Sequence, residues 1–462
     1  MNGFELLQPE SQWQQILSQL ALFWSFEDIN ATWVLFGSLL LGMSASVIGA
    51  FAFLRKRSLL GDALAHAALP GVMMAFLLSG SREAEIIFLG ALFSSLVGFW
   101  IIDWLPKNTK IKPDAALAIT LSFFFALGLM LLSFIQSSEM ANKSGLDKLL
   151  FGQAAAMTAE DIHLLTIVTI AILITVFLFF EKFRLIAFNL NYAKTLGIHV
   201  KFYEMLLAVL IVLSVVVGLQ LVGVVLMAAI LLTPIAAARF WSHQLSTLLI
   251  LASIFGATSA AMGTQISYIA PAMPTGPWIV VSLSILFFIS FLFAPKNGLV
   301  KRSLDYRKLR QRVMRENVLR TLYKLLERTH FQRNDFTLAE IATMRSLDNV
   351  QLKKILKQLQ KFSWISEQQC HFALTESGLR KAIKLTRRHR LWESYLSEHA
   401  DLTSEQVHQQ AERMEHILNQ EQEAEIASEL MQHLSDPHGQ PIPEIPSIEG
   451  IAKSASQQGG NK

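Results

Sequence analysis

Two sets of residues have the types and spacing to hold a divalent metal. The first is Asp62 with His66, in the run RKRSLLGDALAHAALPGVMMAFLL (55–78). Four residues apart on a helix, they stand one turn apart on one face. A carboxylate and an imidazole so placed can share a transition metal or relay a proton. They can also lock helix packing through an Asp–His hydrogen bond, and Gly61, Ala63, Ala65 and Ala67 suit a tight helix contact. All three readings fit the spacing. Met73 and Met74 farther along read as core.

The second set lies in LTRRHRLWESYLSEHADLTSEQVHQQAERMEHILNQ (385–420). His389 and Glu393 form another i, i+4 pair. His408, Glu412, Glu415 and His416 follow at 0, +4, +7 and +8. At about 100° per residue these four fall within roughly a 100° arc of one helix. Two imidazoles and two carboxylates beside a second His–Glu pair make a nitrogen–oxygen site suited to Mn²⁺, Fe²⁺ or Zn²⁺. The alternative is a solvated face of Glu–Arg pairs. The chain has one cysteine, Cys370, which excludes a disulfide framework and any multi-cysteine cluster.

These sets need different elements to position them. The 462 residues are 52% hydrophobic and 16% charged, below the roughly 25% charged of soluble proteins. The charge is unevenly placed. Residues 1–295 hold 14 Lys/Arg and 15 Asp/Glu, net −1, and residues 296–462 hold 26 and 21, net +5. The first part reads as a membrane protein and the second as a soluble, mildly basic unit. Apolar stretches of spanning length fall at about 32–54, 60–80, 86–104, 115–136, 162–180, 203–218, 220–238, 245–267 and 277–295, about nine transmembrane helices. Gly218 and Gly223 bracket the least certain division, where a re-entrant piece is the alternative. Lys and Arg collect after odd-numbered stretches: Arg55, Lys56 and Arg57; Lys107, Lys110 and Lys112; Lys182, Arg184, Lys194 and Lys201; Arg239; Lys296, Lys301 and Arg302. Odd stretches therefore run inward and the polar part is cytoplasmic. No cleavable signal peptide is evident.

The expected organisation is a tail at 1–30, with an interfacial helix or loose chain around Trp13–Trp24, and a membrane domain at 31–297. A helical linker at 298–315 follows, then a winged helix-turn-helix at 316–384, metal-binding and dimerisation helices at 385–446, and a polar tail at 447–462. In the winged unit, helices near 338–344 and 348–361 precede a hairpin ending at Leu374. The second helix offers Asn349, Gln351, Lys353 and Lys354 for contacts to bases and phosphates. A protein-interaction module is the other use of such a unit. The loop EKFRLIAFNLNYAKTLGIHVKFYE (181–204) is long enough for a short surface helix, with Ala193 and Gly197 as a thin face that another protein can grip. No G-x-x-x-x-G-K-[ST] phosphate loop occurs, so the chain does not itself hydrolyse ATP by that route.

Three stretches resemble the permease subunits of ABC importers for manganese, zinc and iron. The most specific is Arg57-Ser58-Leu59 with Gly61-Asp62-Ala63-Leu64, His66-Ala67 and Pro70-Gly71. The others are Tyr192-Ala193-Lys194 with Leu196-Gly197, and VGLQLVGVVLMAAILLTPIAAAR (217–239). The resemblance covers about 30–297. It implies an all-α, eight- or nine-span permease of the inner membrane that works as a dimer, homomeric or heteromeric. It implies a metal-pathway role for Asp62 and His66, and ATPase coupling through 189–200, with Tyr192, Ala193, Lys194 and Gly197. A separate ATPase subunit and an extracytoplasmic metal-binding protein are the expected partners.

About 312–446 resembles the metal-dependent repressors of the diphtheria-toxin-repressor family. The matching residues are Arg388-His389-Arg390-Leu391 with Glu393, Val407-His408, Met414-Glu415-His416, Asp436-Pro437-His438-Gly439 and Pro441-Ile442-Pro443. The resemblance implies regulatory metal binding by His389, Glu393, His408, Glu412, Glu415 and His416, with promoter DNA as a candidate partner. Glu at 412, where iron-type members carry Cys, points to Mn²⁺ before Fe²⁺ or Zn²⁺. One departure matters: the family's first-helix ligands fall at Asn317 and Arg320, and an arginine cannot ligate.

Overall fold

A computed structural model describes residues 12–55, 57, 59–81, 83–138, 152, 159–269, 273–344, 348–399, 420–430 and 440–443. The chain forms two compact units, Met1–Arg302 and Ser303–Lys462. The first is built of α1 (Gln12–Ser25), α2 (Ile29–Leu54), α3 (Leu60–Ser79), α4 (Ala84–Asn108), α5 (Pro113–Ser137), α6 (Ala159–Leu178), α7 (Phe180–Phe188), α8 (Leu190–Thr195), α9 (Val200–Val222), α10 (Val224–Ala238), α11 (Leu245–Ile269) and α12 (Thr275–Phe293). Among the described residues, α2–α6, α9, α11 and α12 are the eight helices long and apolar enough to cross a membrane. These make the unit that of a multi-pass membrane protein. α1 turns Phe23 into a small cluster with Ala31 and Leu35 and leaves Trp13 and Leu17 exposed.

The seventh expected stretch, 220–238, does not form a full span. α9 runs on to Val222 and the chain breaks at Gly223 (φ 86, ψ 166), a conformation open to glycine. α10 then has only 15 residues, about 22 Å against a hydrocarbon core of about 30 Å. Its direction is nevertheless the one the charge pattern asks for. Arg55 at the end of α2 pairs with Glu204 at the start of α9. Arg239, just past α10, lies 5.6 Å from the Phe53 ring, and Asn297, just past α12, donates its N–H to Phe240 O at 3.2 Å. The ends of α2, α10 and α12 and the start of α9 thus share one face, the cytoplasmic one by the positive-inside rule. A cavity of about 430 Å³ opens there, lined by Arg55, Arg57, Asp103, Lys107, Lys201 and Glu204 over an apolar wall.

α3 lies at the centre of this unit, with Ala63, Ala65, Ala67 and Ala68 fully buried. Small residues let its backbone approach its neighbours, since lipid supplies no hydrophobic drive for helix association. A Cβ placed on Gly71 would sit 2.1 Å from the carbonyl oxygen of Gly90 on α4. Beside this contact, the Ser94 hydroxyl donates to Ala67 O at 2.6 Å and Ser95 to Leu64 O at 3.2 Å. These bonds fix α3 along its length.

The second unit begins within α13 (Leu299–Arg328) and continues through β1 (Phe336–Thr337), α14 (Leu338–Met344), α15 (Asn349–Lys361), β2 (Ile365–Gln368), β3 (His371–Leu374), α16 (Glu376–His399) and α17 (Gln420–Glu429). The expected linker and first helix are a single helix without a break. The sheet order is β1-β3-β2, all antiparallel. β2 and β3 are the expected hairpin, turned by Gln369 and Cys370 at positive φ, while the two-residue β1 was not foreseen. Thr337 and Glu340 bond reciprocally as a capping box at the start of α14. Leu319, Leu322, Leu326, Ile341, Leu352, Leu356 and Leu359 form the core.

Gly71→Val should disrupt the α3–α4 contact. Overpacking there costs at least about 1–3 kcal/mol, and because the clash is with backbone it cannot be relieved by a rotamer change. The expected outcome is a lower melting temperature and reduced membrane yield; wild-type values for both would contradict this packing.

Candidate metal sites

In the membrane unit, Asp62 lies in the first turn of α3 and His66 in the second, about 3 Å and 9 Å along the helix from its cytoplasmic end. His66 Nε2 is 3.6 Å from Asp62 Oδ1. That is too long for a hydrogen bond, so the packing lock considered from sequence is not made. It is close to the separation, about 3.0–3.5 Å, of two donors bound to one ion at about 2.1 Å each. His66 Nδ1 is buried with no hydrogen-bond partner, and the ring lies edge-on to Phe125 of α5 at 4.7 Å. Pro70 stands four residues after His66 in the same helix. It has no N–H, so the His66 carbonyl loses its helical donor. An imidazole and a carboxylate therefore share one face of α3, and the His66 carbonyl beyond them lacks its helical donor. Among the described residues no three His, Cys, Asp or Glu come together, here or elsewhere.

The four coupling residues divide. Asn189 caps α8 by accepting from Tyr192 N at 3.0 Å. Tyr192 and Lys194 are exposed, as are Leu190 and Leu196 beside them. Ala193 is fully buried against Ile186 and Val200 of its own chain. Gly197 makes the left-handed exit from the helix (φ 73). The exposed side here is thus Leu190, Tyr192, Lys194, Leu196 and Gly197, while Ala193, expected on the thin outer face, is turned inward. A helix this short turns one side inward to be held at all, and the alanine is on that side.

In the second unit, Asn349, Gln351, Lys353 and Lys354 all lie on the exposed side of α15, while Leu352, Ile355, Leu356 and Leu359 face the core. The wing between β2 and β3 carries Glu367 and no Lys or Arg. His389 and Glu393 come together on α16, each 2% exposed, with His389 Nε2 3.0 Å from Glu393 Oε1. His408, Glu412, Glu415 and His416 lie outside the described residues, as does Asp436–Gly439. The sequence reading missed what surrounds the pair. Arg320 Nη1 is 2.7 Å from His389 Nδ1. Arg390 forks onto both oxygens of Glu327 at 2.9 and 2.7 Å and also donates to Pro441 O. Arg387 donates to Pro443 O at 3.1 Å. Arg390 and the Pro-Ile-Pro segment, which carried the repressor resemblance, thus form a structural clamp with the adjacent Arg387.

Residues 28–294, more than half of the chain, match the ABC 3 transport family. The chain belongs to that family. Residues 375–444 match the metal binding and dimerisation domain of iron dependent repressors. The manganese transport system membrane protein MntC of Bacillus subtilis is 38% identical over 390 residues, 83% of this chain and 88% of that protein. That span exceeds the membrane unit, so the likeness continues into the cytoplasmic one. The zinc transport system membrane protein TroC of Treponema pallidum is 39% identical over 280 residues, 61% of this chain and 94% of that protein. Among solved structures, PsaBC from Streptococcus pneumoniae in complex with Fab superposes with a TM-score of 0.55 at 34% identity, over 62% of this chain and 99% of that chain. As an ABC 3 permease, the chain is a transport component with a repressor-like domain appended.

The clamp also makes a prediction about pH. Burial, and then the Glu327 charge, push the Tyr323 hydroxyl up to about 12, with Arg390 opposing. The folded chain keeps the phenol proton more tightly than the unfolded chain, whose tyrosines titrate near about 10. The stabilisation is complete below about pH 10 and is lost between about 10 and 12, by about 2–3 kcal/mol. Chemical-denaturation curves across this range should show the loss, and Tyr323→Phe should flatten it.

Proposed function

We propose that this permease imports a transition metal, Mn²⁺ first and Fe²⁺ or Zn²⁺ as alternatives, with Asp62 and His66 on the ion's path. The single observation that carries the reading is their 3.6 Å separation, which suits a shared ion and not a hydrogen bond. The names of the relatives support the metal class, since MntC is a manganese protein and TroC a zinc protein. The cargo ion exchanges water for the Asp62 carboxylate and His66 Nδ1 or Nε2. Transport is driven by a separate ATPase subunit docking on the exposed residues of α8. A second permease copy completes the pathway, and an extracytoplasmic metal-binding protein delivers the ion.

The cytoplasmic unit acts as an attached regulator of uptake. The support is α13, one uninterrupted helix from Leu299 to Arg328 where a linker was expected, so the chain enters the second unit as helix. The metal that informs it is taken by the face of His408, Glu412, Glu415 and His416. Promoter DNA is the second reading, favoured by the exposed Asn349, Gln351, Lys353 and Lys354.

Alanine at Asp62 or His66 should lower ⁵⁴Mn²⁺ uptake by cells at least tenfold with normal membrane levels; unchanged uptake would remove both residues from the path. His408→Ala with Glu415→Ala should leave uptake running at high cytoplasmic Mn²⁺, and normal shut-off would sink the regulator. Immunoblots at native expression should show the intact 51.7 kDa chain. A stable fragment of the second unit that binds its own promoter, with weaker binding after Lys353→Ala and Lys354→Ala, would establish the DNA reading instead.

A further inference from the structure

A repressor-type domain implies a resident metal on α16, and the residues around His389 do not fit one. Arg320 reaches across from α13 and places Nη1 2.7 Å from His389 Nδ1. A guanidinium has only donors and stays charged throughout the physiological range. Nδ1 must therefore accept the bond and carry no proton. In a neutral imidazole the proton then sits on Nε2. That nitrogen is buried and lies 3.0 Å from Glu393 Oε1, a charge contact without the geometry of a hydrogen bond. A metal ligand needs a ring nitrogen with a free lone pair and normally donates from the other nitrogen. Here one lone pair is used by Arg320 and the other nitrogen holds the proton, so His389 has none to give.

Charge points the same way. Arg320, His389 and Glu393 are 3%, 2% and 2% exposed. A carboxylate so deeply buried needs a positive charge close by. Arg390, the neighbouring buried cation, is already forked onto Glu327. We propose that Arg320 is the built-in cation of this site, bonding to His389 and balancing the nearby charge of Glu393 in place of a metal. The junction of α13 with α16 is then assembled at all metal concentrations. Any metal response of the domain must enter through other residues, and this inference stands whether or not the unit regulates uptake.

The test uses the full-length chain in lipid nanodiscs, with amide exchange followed in peptides covering 312–328 and 385–399, in Mn²⁺ or in chelator. Wild-type protection should be the same in both to within twofold. Arg320→Met should lose at least tenfold in protection and not regain it with Mn²⁺. Arg320→Glu, which puts a carboxylate beside His389, should lose protection in chelator and regain it in Mn²⁺. Wild-type protection that rises tenfold with Mn²⁺ would overturn the proposal, as would Arg320→Glu that stays unprotected in Mn²⁺. A further check counts Mn²⁺ bound per chain by electron paramagnetic resonance. His389→Gln should leave that number unchanged, and the loss of one ion would show that His389 is a ligand after all. The wild-type exchange measurement decides the matter even if the variants fail to fold.

Discussion

A carboxylate taken out of water costs several kcal/mol unless a positive group stands beside it, and much of this molecule is arranged around that demand. Glu204 meets it with Arg55, and the pair joins α2 to α9 at the cytoplasmic face. Glu327 meets it with Arg390, joining α13 to α16. Glu393 lies 3.0 Å from the His389 ring, whose other nitrogen is bonded by Arg320. Asp62 differs. Among the described residues its nearest basic group is His66, at 3.6 Å, and no Lys or Arg is paired with it. The fixed pairs hold helices together, and the carboxylate without a fixed cation is the one we propose to lie on the ion's path.

The two units answer different solvents with the same rule. In the membrane unit, backbone contact through Gly71 and Gly90 and serine-to-carbonyl bonds hold α3 without relying on charge. In the cytoplasmic unit, a leucine core built from α13, α14 and α15 supports a polar clamp of arginines, glutamate and backbone carbonyls. The matches to an ABC 3 permease and to a repressor's metal-binding domain follow the same division of the chain.

Most of the architecture was legible in the sequence because it is local. Apolar runs gave the helices, Lys and Arg gave their direction, and the order of helix, helix and hairpin gave the winged unit. Pairs one helical turn apart, Asp62 with His66 and His389 with Glu393, were also visible. What escaped depends on contacts distant in the chain. Arg320 and His389 are 69 positions apart, and spacing alone could not show that the arginine faces the ring. It could mark only that an arginine stood where a ligand was due. The shortness of α10 escaped because hydropathy continues across Gly223, and only backbone geometry reveals the break. Ala193 was misplaced because a small residue fits equally well against a partner or against its own chain.

Pro70 leaves the ring of His66 on a firmly bonded turn of α3 but unties the carbonyl of the same residue. An oxygen not held by the helix ladder can tilt by a few tenths of an ångström without breaking a bond. This turn of α3 therefore has one stiff side and one compliant side. On the path proposed for the ion, a ring held in place is followed by an oxygen that can yield, so an ion of somewhat different radius could be passed along without a rigid grip.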